Sequence, residues 1–196
     1  MLIGHKQYFI KERVGVLKLV DHYDIFSPDT GEQLGYAKET PPGWAKFLRL
    51  FVAKFFLPTT ISTFEQGRDT PVFSIRRGFT FLRPKIFVVG GDGAQLGYFK
   101  GKLLSLGGGF FVYDMQDQLL AEIKGDWKGW NFKFLSKDGS ELGIATKKWA
   151  GLAKEMFTSA DQYLVSLNES APKSETSAIL LLAAALAIDS VLKERQ

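Results

Sequence analysis

One long apolar run, residues 177–192, constrains the fold more than any other feature of this chain. It is rich in Ala and Leu, both strong helix formers, and no Gly or Pro interrupts it. Ser174 stands where an N-cap belongs, with Glu175 at the first helical position. A helix apolar on every side must be surrounded by lipid or by protein. Length and charge separate the two cases. The 16 residues of the run extend about 24 Å at ~1.5 Å each, whereas a bilayer core of about 30 Å calls for about 20. Asp189 also falls inside the run, where hydrocarbon would penalise it. A helix is expected over 175–193, and the rest of the chain has to decide between lipid and protein around it. If buried in protein, Asp189 needs a hydrogen-bond partner, from a tyrosine or a strand.

Most of the preceding chain is written as a recurring hairpin. Residues 23–26, 86–89, 110–113 and 131–135 are short apolar and aromatic runs. Each is followed by a turn built on Asp, Gly, Ser or Pro, at 27–31, 90–93, 114–117 and 136–139, and then by a return run at 33–39, 95–100, 119–124 and 141–147. The return runs open on Leu34-Gly35, Leu96-Gly97, Leu120-Ala121 and Leu142-Gly143. Residues 59–64 and 71–76 form a looser copy, and 7–20 supplies a strand followed by a second strand or a short helix. Uneven spacing excludes a regular solenoid. The count is roughly a dozen strands, which predicts an antiparallel sheet closed into a barrel, as one domain over 1–196.

Composition narrows the function classes. The chain has 17 Phe and 20 Gly but no Cys, which excludes disulfides, thiol nucleophiles and cysteine metal sites. His5 and His22 lack metal-ligand spacing, and neither a nucleophile-elbow nor a phosphate-loop motif is present. The Gly-rich stretches at 90–93 and 107–109 read as turns between strands. No enzyme and no cofactor are expected. The N-terminal residues carry neither a signal-peptide pattern nor a myristoylation pattern. A net charge of +4 permits an anionic partner without requiring one.

One insertion breaks the hairpin pattern. Residues 43–58 have helical spacing, with Trp44, Phe47, Leu48, Phe51, Val52 and Phe55 on one face. Lys46, Arg49 and Lys54 surround that face, a composition suited to a helix lying among lipid headgroups. The competing reading is a helix that plugs a barrel end or meets a protein partner. Arg76 and Arg77 are the nearby cations expected to add attraction to anionic lipid, with Arg68, Arg83 and Lys85 around them. Trp127, Trp130 and Trp149 suit either a membrane interface or packing at the barrel rim. The aromatic-stacking motifs of nucleic-acid-binding modules are missing, so no nucleic acid is expected.

Beyond residue 142 the chain resembles the phospholipid scramblase family. The resemblance is carried by Gly143, Lys147, Trp149 and Gly151, then Glu155, Phe157, Thr158, Ala160, Asp161 and Tyr163, and finally Ile188 and Asp189. The hairpins and the strand at 23–26 are consistent with the same family and its LURP-one-like relatives. The resemblance implies a Tubby-C-terminal-like fold: a twelve-stranded antiparallel barrel around a C-terminal apolar helix. This chain lacks the Pro-rich arm and cysteine cluster of the mammalian members. Ser159 and Ser170 stand where their calcium loop begins and ends with acids, which leaves Asp161 as the one candidate metal ligand and argues against a tight calcium site. A structural role for Asp161 and Glu155, as turn cap and as partner of Lys147 or Lys154, competes with cation binding.

The resemblance implies a protein that binds anionic phospholipid at the cytoplasmic face of a membrane, peripherally attached, and that extends to easing phospholipid movement between leaflets. The alternative is a soluble Tubby-like scaffold or regulatory module, with a protein partner held through 43–58.

Overall fold

The computed structural model describes the chain apart from residues 14–19, 49–56, 79–84, 102–108, 127–128, 148–161, 172 and 193–196. Twelve strands appear in order: β1 (Gln7–Glu12), β2 (His22–Phe26), β3 (Gln33–Glu39), β4 (Thr59–Glu65), β5 (Pro71–Arg77), β6 (Lys85–Gly90), β7 (Gln95–Gly101), β8 (Gly109–Asp114), β9 (Leu119–Asp126), β10 (Asn131–Leu135), β11 (Glu141–Thr146) and β12 (Gln162–Leu167). Helix α1 (Gly43–Leu48) lies between β3 and β4, and α2 (Glu175–Leu192) follows β12. Every strand pairs antiparallel with its sequence neighbours, and β1 closes on β12 through the register Phe9↔Leu164. Closure removes the unpaired sheet edges that would otherwise template aggregation.

The hairpin pattern has a steric cause. A Cβ added at Gly35, Gly97 or Gly143 would lie 2.2, 2.4 and 2.4 Å from a carbonyl oxygen of the adjoining strand. The Leu-Gly pair therefore marks where two backbones come too close for a side chain, beside the register shifts at Ile25/Phe26, Val88/Val89 and Phe134/Leu135. Where Leu120-Ala121 replaces Leu-Gly, the turn before it places Asp117 at φ 58, a left-handed position that Asp tolerates.

Inward residues follow period two along each strand, as Tyr8 and Ile10 do on β1 or Phe73 and Ile75 on β5. They converge on α2, in which Leu180, Leu182, Leu186, Ile188 and the four alanines Ala183, Ala184, Ala185 and Ala187 are all 0% exposed. Small residues on the helix leave room for the rings of Phe99, Phe110, Phe132 and Phe134 from the wall, so the barrel is a packed core, not a channel. At Gly97 an added Cβ would also lie 3.0 Å from Leu180 Cδ2, so the wall and the rod are fitted to each other there. Ser174 caps the helix: its Oγ accepts the Ser177 N–H at 3.2 Å. No helix among the described residues is long and apolar enough to cross a membrane.

The two ends of the barrel differ. At the turn end lie the short links 27–32, 66–70, 91–94, 115–118 and 136–140, together with the start of α2. At the other, the connection end, stand the finish of β1, β3, β5, β7, β9 and β11, the start of β2, β4, β6, β8, β10 and β12, helix α1 and the finish of α2.

Candidate functional site

The connection end gathers most of the buried polar side chains of the described residues: Glu12, Glu39, Thr59, Arg77, Thr146, Gln162 and Asp189. Four of them sit where a strand's inward alternation runs past its last apolar residue. Glu12 continues Tyr8 and Ile10, Glu39 continues Ala37, Thr59 precedes Ile61, and Arg77 continues Phe73 and Ile75. Polar side chains in such positions must be hydrogen-bonded to be tolerated.

Glu39, Thr59, Arg77 and Asp189 fall into two groups. In the first, the Glu39 carboxylate accepts the Thr59 hydroxyl at 2.5 Å and the Asp21 N–H at 3.0 Å. The Arg77 guanidinium donates to the Leu57 carbonyl at 3.4 Å. This group ties the start and finish of the 40–58 link to the neighbouring strands. In the second, Asp189 in the last turn of α2 accepts the Tyr23 hydroxyl at 2.9 Å. A carboxylate at a helix C-terminus meets an unfavourable dipole, so this bond offsets both burial and dipole. Burial, followed by the nearby Asp189 charge, holds the Tyr23 and Tyr163 phenols well above their ordinary value. Asp189 thus has the tyrosine partner expected of it.

On the outside of the same end, α1 presents Trp44 with 49% of its surface exposed, one of three large hydrophobics in the described chain that are so open. The first turn of α1 carries no acidic residue. Arg76 is exposed on the outer face of β5, opposite Thr60. Arg77 differs from expectation: it is 4% exposed and faces inward, because adjacent residues of a strand point to opposite sides. It is a structural cation, not a lipid-facing one. Lys46 and Phe47 lie on the backbone of α1, while Arg49, Phe51, Lys54 and Phe55 lie outside the described residues, as do Glu155 and the candidate metal ligand Asp161.

Trp130 packs inward, its ring 4.5 Å from that of Tyr163 and edge-on to Phe132 at 5.6 Å, with Lys147 Nζ 5.1 Å from its centroid. It belongs to the barrel rim; Trp127 and Trp149 lie outside the described residues. Among the described residues no three His, Asp or Glu side chains are grouped as a metal site would need. Sequence reasoning passed over Glu12 and Glu39. Their signal was a charge falling on the inward phase of a period-two strand.

No curated protein and no solved structure matches the chain. A family model described as Scramblase matches residues 60–195, from the second residue of β4 through α2. The match covers β5 to β12, the helix they surround and the Asp189 that anchors it, so the chain belongs to the scramblase family.

Proposed function

We propose that this scramblase-family protein binds anionic phospholipid at a membrane surface, with the connection end toward the lipid. The observation that carries the reading is Trp44. It is a large amphipathic ring, half exposed, on a helix without acid in its first turn, at the connection end of the barrel. Tryptophan favours the headgroup region because one part of its ring is apolar and its N–H is polar. The net charge of +4 supports attraction to the same surface.

Movement of phospholipid between leaflets is the further extension of this reading. The barrel interior is filled by α2 and offers a headgroup no route, so we place lipid contact on the outer surface.

Co-sedimentation with phosphatidylcholine vesicles, with and without phosphatidylglycerol, tests the binding. At low salt the protein pellets with the anionic vesicles, and Trp44→Ala combined with Phe51→Ala weakens pelleting. A wild-type protein that stays in the supernatant overturns the reading and favours an interaction scaffold. Loss of dithionite-accessible asymmetry in proteoliposomes would extend the proposal to transport.

A further inference from the structure

Around the outer wall some cations are neutralised, whereas Lys38 near the connection end has no carboxylate partner among the described residues. Lys124 pairs with Glu122 at 3.4 Å, Lys133 with Glu141 at 2.9 Å and Arg13 with Asp24 at 2.7 Å. Three others are unpaired and stand on adjacent strands. Arg76 on β5, Lys85 on β6 and Lys100 on β7 are exposed, and none has a carboxylate partner among the described residues. Lys85 and Lys100 are direct cross-strand partners, and Arg76 is opposite Phe87, two residues along the same strand from Lys85. Like charges directly opposite on a sheet are destabilising. The fold therefore keeps an uncompensated cluster of positive charge on three adjacent strands.

Beneath the cluster lies an aromatic layer. Tyr98 stacks on Tyr113 with centroids 5.1 Å apart at 17°, and Lys85 Nζ sits 3.9 Å from the centre of the Tyr98 ring. Phe87 lies 6.3 Å from Tyr98 on the other side. The Tyr98 hydroxyl donates to Asp117 at 2.6 Å. Cations above aromatic rings also describe single-stranded nucleic-acid platforms, but those need free ring faces for bases to stack on. Here the faces of Tyr98 are taken up by Tyr113 and Lys85. What remains open to a partner is the charge.

Position links this cluster to the lipid-facing end. Arg76 is the penultimate residue of β5, Lys85 the first of β6 and Lys100 the penultimate of β7. All three stand at the connection end, where α1 presents Trp44.

We propose that Arg76, Lys85 and Lys100 form a docking rung for the headgroup phosphates of an anionic phospholipid bilayer, so that the β5–β7 wall lies against the membrane together with α1. This rests on the lipid-surface reading above and names the part of the barrel that makes the charged contact. The anion is selected by charge complementarity: three adjacent cations without carboxylates, at the end that also exposes a tryptophan.

The test compares two double variants of the full chain with equal net charge. Lys85→Gln/Lys100→Gln removes the rung, and Lys137→Gln/Lys173→Gln removes two exposed cations at the turn end. Partitioning onto phosphatidylcholine vesicles containing phosphatidylglycerol is expected to fall about tenfold or more for the first, from the attraction of each lost cation, and to change little for the second. Arg76→Gln alone gives a smaller loss of the same kind, and thermal melts of all three match wild type because the positions are exposed. Equal losses for the two double variants overturn the proposal in favour of undirected net charge. Wild-type binding that the rung variant retains overturns the rung and leaves the lipid reading standing. Absence of wild-type binding overturns both. Rung-dependent binding of a single-stranded oligonucleotide, with vesicle binding unchanged, overturns the choice of partner.

Discussion

At the turn end of the barrel, Asp138 accepts hydrogen bonds from the Ser136 hydroxyl and from the Ser140 N–H, and Asp114 accepts the N–H groups of Gln116 and Gln118 at 2.9 and 2.8 Å. These partners are at most four residues apart. At the connection end, Tyr23 reaches Asp189 across 166 positions and Thr59 reaches Glu39 across 20. The same carboxylate chemistry thus does two jobs. Locally it completes a turn in water, where the net gain per bond is small. Across the chain it satisfies a buried charge, where losing the partner leaves a costly orphan. The turns themselves can form from short peptides' preferences, although Glu65 beside one of them also accepts the Leu2 N–H across 63 positions. The Tyr23–Asp189 bond, by contrast, exists only once the barrel has closed over α2.

The largest effect comes from removing what joins the two ends. Truncation before Thr176 deletes α2 and hollows the core. The product is expected to be insoluble or to show no cooperative melt by circular dichroism, and a folded, soluble truncation would contradict the enclosed-rod architecture. A milder version, Leu182→Ala, is expected to cost about 2–5 kcal/mol in chemical denaturation, because a fully buried leucine leaves a cavity.

Next comes a direct break at the connection end. Tyr23→Phe keeps the ring and removes the donor to Asp189, for an expected loss of about 1–3 kcal/mol. The same end predicts a pH response. Burial raises Tyr23 and Tyr163 well above the ordinary phenol value of 10.0, and toward the turn end Tyr8, also buried, is pushed up to about 12. The fold therefore favours the neutral rings. Their contribution is complete below a pH of about 10 and is lost as the pH rises through the higher folded values. Alkaline unfolding should coincide with the tyrosinate absorbance of these rings, and Tyr163→Phe should move its midpoint upward. Tyr98 supplies the contrast. Its hydroxyl is also raised to about 12, first by its bond to Asp117, but it lies on the outer wall and should ionise without unfolding the protein.

The smallest effect sharpens the other side of the comparison. The bond from Ser136, with those from Ser140, holds the Asp138 carboxyl down to about 2. Ser136→Ala should raise that value toward the ordinary 3.8 in an NMR titration while leaving the melting temperature unchanged. A large fall in stability would mean that the turn end is more than locally determined.

Much of the barrel could be read from residues alone because hairpins are local. The turn at 136–139 and the Leu142-Gly143 pair carry their own geometry, and the same pattern recurs along the chain. The family resemblance rested on residues 143–189, and the family match extends from 60 to 195. The site was less legible. Trp44 and Arg76 are exposed, whereas Arg77 is buried: its charge was read without the inward phase set by Phe73 and Ile75. The adjacency of Lys85 and Lys100 is a matter of register across a hairpin, fixed by the bulge at Val88/Val89.

By itself, the sequence determined the strand count, the turns, and a helix too short for a bilayer and too apolar for water. These follow from periodicity, turn chemistry and length, which act over a few residues. The tertiary structure decided which charges face in and which face out, that Tyr23 would meet Asp189, and that three cations would stand together without an acid. Those outcomes depend on register and closure, where a shift of one residue exchanges the two faces of a strand.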